Sequence, residues 1–137
     1  MSRATRLMAG LILVLVPTIE LGGSFLLNAL IDRDSGYTTN ALRQNFFRAG
    51  HAHAGVLTLL SLVCQMLVDA ARLATAAQWL VRIGIPASGI LISAGFFVSM
   101  LAPGASEPSR AVALIYTGAG LLAVSVVSLG IGLLRAR

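Results

Sequence analysis

The chain has 137 residues, of which 57% are hydrophobic and 11% charged, against a charged share of about 25% in ordinary soluble domains. That composition excludes an ordinary soluble fold and makes lipid the expected solvent. The net charge of +5 comes from arginine without lysine and is spread along the chain, which argues against the one-sided basic surface of a nucleic-acid binder.

The first apolar stretch runs from Leu7 to Ile31 and exceeds the roughly 20 helical residues needed to cross a bilayer. Its basic start, "MSRATRLMAGLILVLVP", resembles a secretory signal. No small-x-small cleavage site follows it, however, so a retained helix is expected. "IDRDSGYTTN" reads as the first outer loop, with Thr39 or Asn40 placed to cap the next helix. That helix is expected over 41–70, opening with the amphipathic "ALRQNFFRAG" before an apolar run from Ala49 to Val68, with Phe46 and Phe47 at the interface. Cys64 lies within it and is the only cysteine, so no intrachain disulfide can form.

"DAARLATAAQWLVR" reads as an inner connection, with Trp79 in a belt position. A third helix is expected over 83–102, then a proline-bearing outer loop, "APGASEPSR", and a fourth helix over 111–134. The expected fold is all-α: one domain, 1–137, forming an antiparallel four-helix transmembrane bundle. Counting Arg3, Arg6, Arg72, Arg82, Arg135 and Arg137 against Arg33, Arg43, Arg48 and Arg110 places both termini in the cytoplasm, in a protein of the cell membrane. Small-residue spacings such as Gly95 to Ser99 and Ser128 to Gly132 suggest a homo-oligomer.

Ionisable groups inside a membrane mark functional candidates. Glu20 lies mid-helix beside Gly22 and Gly23, and with Ser24 and Asn28 it repeats at i, i+4, i+8 as one polar stripe. On the second helix His51, Thr58, Gln65 and Asp69 fall on another, which suggests that the two stripes face each other. Counting along the helices at about 1.5 Å per residue groups Ser24, His51, Met100 and Tyr116 near one depth, with Glu20 deeper. His51 and His53 point about 200° apart on a helix and cannot chelate one metal ion unless Gly50 distorts the backbone. Either could ligate a transition metal or haem, with Glu20 completing a mixed site and Met100 as a soft ligand. The plainer readings are interfacial histidines, a packing carboxyl at Glu20, and Gln65, Ser93, Ser125 and Ser128 as hydrogen bonds between helices. On the same footing Met100 is core filling, and Asp69 forms an exposed salt bridge with Arg72.

The stretch "FFRAGHAHAGVL", preceded by "PTIELGGSFLL", resembles small four-helix membrane proteins of uncharacterised function with an HxH pair opening the second helix. Its HxH, Gly and leucine-rich run is also loosely similar to histidine-bearing helices of haem-copper oxidase-type proteins. That resemblance implies a haem or metal contact at His51 and His53. The further histidines such an oxidase needs are absent, so oxidase activity is not implied. Three functions follow as expectations: a haem- or metal-binding membrane protein, a proton or small-solute conduit through Glu20 and His51, or a non-enzymatic accessory subunit of a larger membrane complex. Whether the chain is an enzyme stays open; no nucleophile-base-acid set or phosphate loop is present.

Overall fold

A computed structural model describes residues 1–136. Four long helices make up most of the chain: α1 (Arg3–Ile31), α2 (Ala41–Leu67), α3 (Thr75–Ser99) and α4 (Ala113–Leu134), with one-turn 3-10 helices at Arg33–Ser35, Val68–Ala70 and Arg110–Val112. No strand occurs among the described residues. Each of the four is long and apolar enough to cross a membrane.

The start signals are local. Ser2 caps α1 by accepting from the Thr5 amide at 3.1 Å, and Asn40 caps α2 by accepting from the Arg43 amide at 3.0 Å. α3 begins eight residues before the expected 83, at Thr75. Alanines and long side chains favour helix there, and Arg82 is not a flanking charge but part of the helix interior, 2% exposed. Gly36, at φ 67°, turns the chain between the first 3-10 helix and Tyr37.

α3 is the hub. It packs along α2 on one side and α4 on the other, while α1 lies on α2 and only touches α3. Glycines set the α3–α4 distance: a Cβ on Gly95 would stand 2.9 Å from the Ile115 backbone nitrogen, and one on Gly118 3.1 Å from that of Ile92. Gly132 likewise presses on Leu73 and Ala71. The spacings Gly95 to Ser99 and Ser128 to Gly132 were expected to serve contacts between copies. Instead, Gly95, Ser99 and Gly132 are buried within the single chain. Gly118→Ala or Gly95→Ala should therefore cost about 1–3 kcal/mol, because backbone cannot yield as a side chain can. Gly10→Ala, where a Cβ meets nothing within 4 Å, should leave stability in detergent unchanged or slightly raised. Thermal unfolding of the three variants checks this.

Polar side chains tie the two ends. Around Asp69, Arg82 reaches the Asp69 carboxylate at 2.6 Å, the Thr5 hydroxyl at 2.8 Å and the Gln65 side-chain oxygen at 3.3 Å. The Ser2 amide and the Thr5 hydroxyl also donate to Asp69, at 2.8 and 2.9 Å. So Asp69 pairs with Arg82 rather than Arg72, and the pair joins the 3-10 turn that follows α2 to α3, with α1 attached through Ser2 and Thr5. Pro86 explains one further bond. It lacks the N–H that would satisfy the Arg82 carbonyl four residues earlier, and Gln65 Nε2 donates to that carbonyl at 2.8 Å instead.

At the other end Arg43 is 8% exposed and has no carboxylate partner among the described residues. It donates to the carbonyls of Met100, Leu101 and Ser35 at 3.1, 3.3 and 3.0 Å, with its guanidinium 4.9 Å from the centre of the Phe47 ring. Two of those carbonyls, at the C-cap of α3 and the residue after it, lie where free acceptors and the negative end of the helix dipole favour a cation. Met100 is fully buried there with Leu26, Tyr37 and Phe47. It is core filling and does not stand among the histidines.

Candidate functional site

α1, α2 and α3 leave a partly open cleft of about 400 Å³ between them, within the roughly 300–1,000 Å³ of small-molecule sites. Each helix contributes one face at helical spacing. Ile12, Leu15, Ile19 and Gly22 come from α1, His51, Ala54, Thr58 and Ser61 from α2, and Pro86, Ile90, Ser93 and Phe97 from α3. Small residues such as Gly22, Ala54, Gly89 and Ala94 leave the space. From His51 to Ser61 is ten residues of helix, so the cleft is about 15 Å long.

His51 stands at one end of this cleft and is the one titratable side chain lining it among the described residues. The Gly22–Gly23 pair of α1 makes its seat. A Cβ on Gly22 would lie 3.5 Å from the ring Nδ1, and one on Gly23 3.3 Å from Cε1 and 3.4 Å from Nε2. A methyl group at 22 would just touch the imidazole and one at 23 would press lightly on it. On the wall, the Ser61 hydroxyl donates back to the Leu57 carbonyl at 2.6 Å and Thr18 to Leu15 at 2.6 Å. Ser93 Oγ is buried and has no hydrogen-bond partner among the described residues.

His53 looks elsewhere. It is exposed, 5.1 Å from the Phe96 ring centre, with Nδ1 2.7 Å from the Ala49 carbonyl oxygen. A carbonyl only accepts, so Nδ1–H is the donor in this contact. α2 stays helical through Gly50, which packs on Phe97 with a would-be Cβ 2.9 Å from its ring. No distortion brings the two imidazoles together.

The rest of the expected cluster disperses. Glu20, Ser24 and Asn28 are all exposed on α1, so the two polar stripes do not face each other. Tyr116 is 73% exposed on α4, which packs on α3 and not on the cleft. Gln65 belongs to the Arg82 network, and Thr58 alone of the supporting residues joins His51 in the cleft. Among the described residues no three His, Cys, Asp or Glu side chains gather as a metal site. One imidazole at the head of an apolar slot can fill a single coordination position or make one hydrogen bond; it cannot encage a bare metal ion.

In architecture the chain is an all-helical protein with four helices capable of crossing a membrane. Set against protein-family models, curated proteins and solved structures, it matches none of them.

Proposed function

We propose that the chain is an integral membrane protein, an antiparallel four-helix bundle with cytoplasmic termini, that binds an apolar cofactor of haem type in the α1–α2–α3 cleft, where His51 would hold it. The observation that carries this reading is His51 itself, seated on Gly22–Gly23 as the one titratable group that the described residues bring to an otherwise apolar and hydroxyl-bearing slot. A haem iron needs only one protein nitrogen on a face, and its macrocycle is held by apolar packing. A bare transition metal needs several ligands that the cleft does not supply. The protein would position the group and exclude water, leaving redox chemistry to the cofactor. A proton path through Glu20 and His51 finds less support, since Glu20 is exposed on α1 and does not line the cleft.

Haemin titration of the detergent-purified chain tests the reading. The expected result is saturation at one haem per chain with a Soret band, weakened at least tenfold by His51→Ala and unchanged by His53→Ala. Equal loss in both variants, or haem uptake indifferent to both, would overturn it.

A further inference from the structure

Both ends of the cleft are shut. Beyond Ile12, Arg82 of α3 donates to the Thr5 hydroxyl of α1 at 2.8 Å, beside a fully buried Gln65. Beyond His51, Phe25 of α1 meets Phe97 of α3 edge-on with ring centres 6.4 Å apart, and both rings pack on Phe47. α2 forms the floor, since none of its lining residues, His51, Ala54, Leu57, Thr58 and Ser61, is exposed. The lining residues that are exposed stand on the other two helices: Leu15 and Thr18 on α1, and Ile90 on α3. These are the helices that only touch. The opening is therefore a window between α1 and α3, closed above and below by contacts between the same two helices.

We infer that the cleft is filled and emptied from within the bilayer, through the α1–α3 window, so that its ligand arrives dissolved in lipid and not from water. The depth of the window carries this. Leu15, Thr18 and Ile90 each lie at least about 13 Å along the helix from its nearer end, and a hydrocarbon core about 30 Å thick surrounds that level in a chain whose helices cross the membrane. A charged or strongly hydrated solute would have to shed its water in hydrocarbon before reaching the window, at a cost that the cleft's hydroxyls and one imidazole cannot offset. A lipid-soluble molecule meets no such barrier, and the rim side chains Leu15 and Ile90 are themselves apolar. The inference deepens the proposed function by naming the phase that supplies the ligand, and it rests on the membrane-crossing part of that reading alone.

Photolabelling of the full-length chain in phosphatidylcholine liposomes tests it, without haem, so that the result does not depend on which cofactor the cleft holds. The probe is trifluoromethyl phenyl diazirine, a hydrocarbon-soluble carbene source, with insertion sites mapped by peptide mass spectrometry. Val14 and Leu21, exposed on α1, report contact with lipid, while Val81 and Ser88, fully buried, report the closed core. Ala54 and Thr58 on the cleft floor should be labelled to a level comparable with Val14 and several-fold above Ser88. Thr18→Trp combined with Ile90→Trp, which sets two rings in the window, should lower the floor labelling several-fold while Val14 and Leu21 keep theirs. An unchanged size-exclusion profile checks that this variant is folded. A floor labelled no more than Ser88, a floor labelled instead by a charged, water-soluble diazirine, or floor labelling indifferent to the two tryptophans would overturn the inference. Absence of label at Val14 and Leu21 as well would overturn the membrane-crossing reading with it.

Discussion

Asp69→Ala should destabilise the protein by about 3–5 kcal/mol, the range for stripping one partner from a buried ion pair. Asp69 is the smaller part of the reason, since its own side chain is 27% exposed. The loss falls on Arg82, whose side chain is 3% exposed and which has no other carboxylate among the described residues. Without Asp69, a guanidinium on α3 is left with only the neutral oxygens of Thr5, Gln65 and Ser2. The Ser2 amide and Thr5 hydroxyl lose their acceptor as well, so the start of α1 should loosen with the α2–α3 contact. Adding Arg82→Met to Asp69→Ala should recover part of the loss, because the unpaired charge goes with it. Thermal or denaturant unfolding in detergent measures both; a loss below about 1 kcal/mol would mean that the pair behaves like an ordinary surface ion pair.

The second large effect concerns the cleft. Ala54→Phe places a ring in the slot on the same face of α2 as His51, one turn below it. The cleft is partly open, so the ring has room to enter without forcing the helices apart, and unfolding temperature should change little. Haem uptake should fall at least tenfold with His51 itself unaltered. Together with His51→Ala, this separates loss of the ligand from loss of the space. If Ala54→Phe bound haem as the parent does, the cofactor would have to sit outside the cleft.

Much of the architecture was legible because apolar length is a one-dimensional signal. Four spans, a cap at Thr39 or Asn40 and the divergence of His51 from His53 all follow from local spacing, and the structure chooses Asn40. Facing relations between helices do not. The Glu20, Ser24, Asn28 stripe exists as the i+4 rule requires, but which neighbour it meets depends on the rotation of α1 against α2, and the expectation that polar residues turn inward chose the wrong side. Arg82 was misread for a related reason. A charge breaks a hydropathy run, and only the fold shows that Asp69, 13 residues earlier, comes back beside it. Gly50, the one position at which a distortion could have brought the histidines together, is a close-contact residue whose missing side chain admits Phe97. The cleft left one sequence trace, small residues at helical intervals on three helices, which cannot be recognised as a cavity until the helices are placed.

The most direct test of the central claim is a visible absorption spectrum, oxidised and reduced, of the protein purified in detergent from its own membranes, read beside the same preparation of His51→Ala. The expected result is a Soret band that shifts on reduction in the parent and is lost from His51→Ala. A parent protein that is folded, pure and colourless would contradict it.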